Sequence, residues 1–536
     1  MELTRVRGLV DRLSARLPPA IRASLKQVYQ RRAPRRPVDL FYPAVRARSV
    51  RRPRAPEPLR TARSGPLPSE LWSPRPLDAT SSPKAGDRPH LCIVAAGDLD
   101  PRLKDLLACE REGVPIVCLA ADGAALETEI AGIASAIVVP TAALAERAGA
   151  VLPEERVAIA PTLLPAERLP ARGLRGRPSR DVIVSAGDPG SGTFAEGLPS
   201  NTALREIPLN PDVALLSEIA GSALAVHVPT NADPTRVAEV AALATCGVPV
   251  IGHVPDSHPL AGLVAATRFH GHLPADPTAA VVTLLDDPHL RHAAGVRARR
   301  YGLAELSSTS AMRSVLPRLD QPVADHGIVA VTPLTDPAQL PRLAANLRRQ
   351  RELTAAVLVV SVSGAHTVAA EPLEELDLAV QVVRPGHDLR RTLRRSAAEY
   401  VAVLDPTCWY GADHLRDLRL ARETSGFAVI GRLAHHRCAP DGRIEVISGP
   451  EEAGVDHLAP GGSLIPVQLA RSGLGAATGA EELTLHEEAR KRGAHLYAIH
   501  RFGFLRPAAT GLTPVSTSWD LAFPDGDGGV PLADAK

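Results

Sequence analysis

From His90 onward the chain alternates short apolar runs with helical stretches, and this rhythm constrains its fold more than any other feature. HLCIVAAG, VPIVCLAA, SAIVVPT, RVAIAPTLL, DVIVSAG, ALAVHVP and VPVIGHV read as buried strands, and LKDLLACEREG and VAEVAALATCG read as helices that end in glycine. Such an order predicts βαβ units and a largely parallel sheet covered on both faces. The pattern runs to about residue 318, is broken by the polar joint Asp320–Asp325, and restarts with HGIVAVTPL, a helix over PAQLPRLAANLRRQRE and the strand AAVLVVSVS. A chain of 536 residues suits two or three domains.

The flanking segments behave differently. Residues 1–30 place Val6, Leu9, Val10, Leu13 and Leu17 at helical spacing among arginines, and Pro18 and Pro19 divide the stretch. This basic amphipathic arm either touches an anionic membrane surface or packs on the protein body or a partner. Residues 31–88 are rich in Pro, Arg and Ser and cannot bury enough apolar surface to offset their ordering entropy, so a poorly ordered linker is expected. Its arginines lack interleaved aromatics for base stacking, so no nucleic-acid partner is expected. Residues 511–536 read as a C-terminal tail.

The six cysteines form no C-x-x-C pair and mostly lie in apolar runs, as free thiols in a reducing compartment do. The N-terminus has no secretory h-region, and no apolar run reaches the roughly 18 residues of a membrane span. A cytoplasmic protein is expected, peripheral at the inner face of the membrane if the N-terminal arm binds lipid. No nucleophile elbow, Walker loop, H-E-x-x-H or G-x-G-x-x-G occurs, which leaves hydrolase, kinase and dehydrogenase readings without support.

Two stretches carry a family resemblance. HVPTNADPTRVAEVAALATCGVPVIGHV (227–254) resembles the nucleotide-sugar-binding region of GT-B glycosyltransferases, the CgeB-like branch in particular, through Arg236, Glu239, Gly247, Pro249, Val250 and Ile251. The resemblance implies that Glu239 accepts hydrogen bonds from a ribose and that Arg236, at a helix N-terminus, meets a diphosphate. Gly187, in the loop SAGDPGSGT, would let backbone N–H groups approach phosphate. Asn231 stands where relatives carry a further acidic residue, and the region is short for a complete GT-B enzyme.

Residues 326–510 resemble GT-A transferases of the family-two type. Tyr400–Leu404 with Asp405 matches the strand that delivers the metal-binding D-x-D, PGGSLIPVQLARSGLG the acceptor-side strand, and GAEELTLHEEARKRG the G-E-D helix. This resemblance implies Asp405 as a ligand for Mg²⁺ or Mn²⁺ and Glu482 as the base that deprotonates the acceptor hydroxyl. It also implies Ser361 and Ser363 at the nucleoside, and Arg384 and Asp388 at the sugar and diphosphate. Pro406 and Thr407 replace the rest of the D-x-D, and serines replace both nucleoside acids. His435 and His436 could reach the cleft, and Trp409 and Tyr410 either stack on a sugar or base or belong to the core.

The expected architecture is α/β. A truncated GT-B-like Rossmann-type region (90–318) precedes a GT-A mixed-sheet domain (326–510), behind a disordered basic Pro-rich segment. The expected function is inverting transfer of a sugar from a nucleotide-sugar donor to a bacterial cell-surface glycan or polymer. The alternative is a catalytically degenerate relative acting as a scaffold or as a glycan- or nucleotide-binding partner, motivated by the missing carboxylates.

Overall fold

The computed structural model describes residues 61–64, 91–95, 110–111, 114–120, 123–162, 164, 169, 181–185, 191–207, 213–229, 231–268, 273–319, 327–360, 379–508 and 522. The expected arm at 1–30, nearly all of 31–88 and the tail from 511 (apart from Ala522) lie outside them.

Three α/β layers follow the predicted rhythm. The first sheet is parallel and keeps chain order: Thr61–Ser64, Leu91–Ala95, Ile116–Leu119, Ala136–Val139 and Val157–Ile159. Thr61–Ser64 falls inside the stretch read as a linker. Its backbone pairs with Leu91–Ala95, a partner that its own composition does not announce. The second sheet, also parallel, runs Ala203–Ile207, Asp181–Ser185, Ala223–His227, Val250–Ile251. The chain leaves the first sheet near Thr162 and returns at Ser307: Thr162 Oγ donates to Leu306 O at 2.6 Å, and Leu164 bridges Ser307. The helix Ser308–Val315 then packs Ala311, Met312 and Val315 back onto the first sheet.

The third sheet has eight strands in the order Ala379–Val383, Leu353–Val360, Ile328–Leu334, Tyr400–Leu404, Gly462–Pro466, Val429–Arg432, Leu496–Ile499 and Ala453–Val455. Its first four strands are parallel, and Gly462–Pro466 runs against them. Val329 and Val331 face one core and Ala330 and Leu334 the other, so both faces are buried and the strands read as unbroken apolar runs. Trp409–Tyr410, Phe504–Pro507, His435–Cys438 and Ile444–Ile447 form a small fourth sheet beside it. Among the described residues no helix is long and apolar enough to cross a membrane.

The helix Pro288–Glu305 joins the two halves because both of its sides are occupied. Asp287 caps its start by accepting from the backbone N–H groups of His289 and Leu290. On one side, small residues let it press against Pro234–Thr245: a methyl group on Gly295 would lie 2.3 Å from the Gly247 carbonyl oxygen, and one on Gly302 would lie 2.2 Å from Thr245 Oγ. The other side faces the second half. Arg300 Nε and Nη2 donate to the two Asp417 oxygens at 2.7 and 2.9 Å, and Nη1 donates to Asp413 at 2.9 Å. Leu303 packs on Leu420, and His292 lies 3.4 Å from Glu451. The two α/β halves are therefore fused along this helix, although the joint at Asp320–Asp325 reads as a tether.

The contact at Gly295 leads to a test. Gly295→Ala should destabilise the protein by about 1–3 kcal/mol, because overpacking against a backbone carbonyl outweighs the helix preference of alanine. Denaturant unfolding measures it, and an unchanged or raised midpoint would show that the two helices can separate.

Candidate active site

Asp405 stands at the C-terminal edge of the third sheet because Pro406, with no N–H to donate, ends the strand Tyr400–Leu404. The next residues fold into an Asx turn. Asp405 Oδ1 accepts from the Thr407 backbone N–H at 2.8 Å and from its hydroxyl at 2.6 Å. The Tyr410 hydroxyl accepts from the Asp405 N–H at 2.8 Å and donates to Gly461 O. Gly461 has φ of +85° and approaches so closely that a methyl group there would lie 3.1 Å from Asp405 Cβ. Only glycine meets both demands.

Glu482 comes to the same point from the other side. It lies in the first turn of the helix Gly479–Lys491, which the Thr478 side chain caps. Glu482 Oε2 accepts from the Gly461 N–H at 2.5 Å, and Oε1 accepts from the Ser463 hydroxyl. His486 Nε2 lies 3.0 Å from the same hydroxyl. The carboxyl group is wholly buried, and this burial raises it to about 7 against the hydrogen bonds that favour its charged form. Burial lowers His486 to about 4, so its imidazole stays neutral. Asp405 and Glu482 thus both approach Gly461, and Glu482 is buried beneath the Gly461–Ser463 segment.

Among the described residues the donor set around Asp405 is sparse for a metal ion. Pro406 brings no ligand, the Thr407 hydroxyl is spent on Asp405, and among the described residues no group of three His, Cys, Asp or Glu side chains stands close enough to hold an ion. Asp405 alone does not fit Mg²⁺ or Mn²⁺.

The remaining candidates fall into separate places. Ser361, Ser363 and Gly187 lie outside the described residues. The strand Leu353–Val360 ends at the same sheet edge as Tyr400–Leu404, with Ile328–Leu334 between them. Arg384 and Asp388 line a cavity of about 650 Å³ between the edge strands and the helix His387–Arg395. Arg391 and Arg395 follow Asp388 on the same helix face, so the cavity wall carries an excess of positive charge above a floor that includes Val329 and Val357. Neither Asp405 nor Glu482 lines it.

Arg236 and Glu239 are held by each other. Glu239 is fully buried with Oε2 at 3.0 Å from Arg236 Nη1, and Asp233 already accepts from the helix N–H groups of Thr235 and Arg236. In this structure the two side chains are therefore paired with each other. His436 packs against His289 of the first half, with ring centroids 6.0 Å apart, and burial lowers it to about 3. Trp409 and Tyr410 are core residues, Trp409 lying beneath the Arg342 guanidinium at 4.1 Å. Ser463 and His486, which hold Glu482 in place, were missed by sequence reasoning. Their spacing from Glu482 was the available signal, since His486 is four residues on along the same helix.

No family model matches the chain, and no curated protein matches it. Among solved structures it is similar to Staphylococcus aureus TarS 1-349 in complex with UDP-GlcNAc, at 13% identity and a TM-score of 0.28 over 34% of this chain and 59% of that one. It is also similar to glucosyl-3-phosphoglycerate synthase from Mycobacterium tuberculosis in complex with Mn²⁺, UDP and glucosyl-3-phosphoglycerate, at 14% identity and a TM-score of 0.24, over 37% of this chain and 76% of that one. A third similarity is to an alpha-glucosyltransferase in complex with UDP and DNA, at 10% identity and a TM-score of 0.30, over 43% of this chain and 80% of that one. The chain spans less than two thirds of the length of the TarS structure that it matches.

The buried carboxyl group makes stability depend on pH with a definite sign. Native Glu482 keeps its proton up to about pH 7, whereas the unfolded chain releases it near 4.5. Between these values the native state binds more protons, so this contribution is complete below pH 4.5 and is lost as pH rises through 7. Glu482→Gln should remove a loss of roughly 3 kcal/mol across that window. His486, lowered to about 4, acts in the opposite direction, so the quantity to measure is the wild-type minus variant difference in unfolding free energy. A difference that does not change with pH would mean that Glu482 is already ionised in the native state.

Proposed function

We propose that this protein is a nucleotide-sugar-dependent glycosyltransferase whose second half carries the reaction. The observation that supports this reading is the convergence of Asp405 and Glu482 on Gly461, at the edge of a mixed sheet where parallel strands end and ligands of α/β folds bind. The donor is a nucleoside-diphosphate sugar and the acceptor a hydroxyl of a glycan or polymer. The acceptor oxygen attacks the anomeric carbon, the bond to the diphosphate breaks, and the proton passes to Glu482. One carboxylate suffices for this displacement, which inverts the anomeric centre. A base near pH 7 balances proton affinity against availability at neutral pH. The free side of the Asp405 carboxylate orients the sugar. Turnover by this route requires the Gly461–Ser463 segment to admit the acceptor to Glu482. Arg236 and Glu239, engaged with each other, are given no part in transfer.

The complete burial of Glu482 favours one competing reading, in which the carboxyl group braces the fold of a non-catalytic scaffold. Calorimetric titration of the full chain with UDP-, GDP- and CDP-sugars, with and without Mn²⁺, separates the two. The transferase reading expects one nucleotide class to bind, and expects Glu482→Gln to lose about 10²–10⁴-fold in turnover with donor affinity unchanged. Absence of binding by a well-folded protein would sink it.

A further inference from the structure

We infer that Arg300, contributed by the first half, is a positioning residue for the Asp405 corner of the second. This inference rests on the reading of that corner as the reacting site. The link is an unbroken series of buried contacts. Arg300 grips Asp417 through two hydrogen bonds, with 11% of the arginine side chain and 5% of the aspartate exposed. Asp417 Oδ2 lies 3.1 Å from His500 Nε2 and 3.9 Å from Arg432 Nη2. Arg432 is wholly buried. Its Nε donates to the carbonyl oxygens of His500 and Phe502, both at 3.1 Å, and its Nη1 donates to His414 Nδ1 at 2.6 Å.

That bond leaves His414 neutral, and burial keeps it so, well below the ordinary histidine range. The His414 ring packs on Tyr410 with centroids 4.7 Å apart, and the Tyr410 hydroxyl holds both the Asp405 N–H and Gly461 O. These groups are packed tightly in a dry interior, so a displaced Asp417 carries Arg432, His414 and Tyr410 with it. Arg300 touches neither substrate nor reacting atom in this scheme, and it sets where Asp405 and Gly461 stand.

Hydrogen exchange of the Asp405 amide, whose acceptor is the Tyr410 hydroxyl, reads the link directly. In full-length Arg300→Met this amide and that of Gly461 should exchange roughly tenfold faster, with Arg300→Lys between the variant and wild type. Arg313→Met, which removes a neighbouring ion pair to Glu423 across the same junction, should leave both amides unchanged. Faster exchange confined to 288–305 and 414–425, with the Asp405 and Gly461 amides unmoved, would overturn the inference. So would an equal effect of Arg313→Met. If Arg300→Met does not fold, Asp417→Asn breaks the same link from the other side and is read in the same way.

Where a donor sugar is turned over, Arg300→Met should lower kcat with KM unchanged. A protein that binds no nucleotide sugar yet shows this exchange pattern loses the transferase reading and keeps the positioning. Turnover with unmoved corner amides does the reverse.

Discussion

The ion pair between Arg300 and Asp417 is the interaction on which the arrangement of the two halves depends. Both groups are nearly dry, and removing one partner from such a pair leaves an uncompensated buried charge, at a cost on the order of 3–5 kcal/mol. Replacing the pair by apolar residues of similar volume would be far less disruptive, so its contribution is specificity of docking more than raw stability. A slip of one turn along the Pro288–Glu305 helix would take Arg300 away from both Asp413 and Asp417. The interface therefore has one register.

That helix explains why the halves are not beads on a string. Its glycine and alanine side is pressed against Pro234–Thr245, while its arginine and leucine side is pressed against His414–Ser425. Arg299 shows the same double duty, donating to Thr245 O within the first half at 2.5 Å while lying 3.8 Å from Glu452 of the second. A helix buried on both sides has no solvent face to lose, so motion of either half reaches the other as a rigid displacement.

At the candidate site, the same dryness that orders the network shapes the chemistry. Glu482 sits at a helix start with two hydrogen-bond donors, an environment that ordinarily favours a carboxylate. Burial outweighs both and keeps its proton affinity near neutrality. Gly461 makes this possible, since a side chain there would press on Asp405 from a backbone with φ of +85°.

Much of the fold was legible in the sequence because buried parallel strands and glycine-terminated helices write their periods locally. HGIVAVTPL, AAVLVV and YVAVL became neighbouring strands, and Asp405 stood at the strand end, where Pro406 had to stop the ladder. The pairing of Asp405 with Glu482 was legible only through resemblance, because residues so far apart in the chain share no local pattern. Arg299 and Arg300 carry no local sign of the contacts they make with the second half, since a charge's partner lies on another element. Arg236 and Glu239 read as ligand-binding groups, and in the structure an i, i+3 ion pair joins them on one helix. The sequence by itself determined which segments are strands and helices, since apolar period and turn chemistry are properties of neighbours along the chain. Only the tertiary structure decided which carboxylates are dry, which cations meet them and what therefore stands around Gly461, because burial and charge pairing arise between residues that the chain keeps apart.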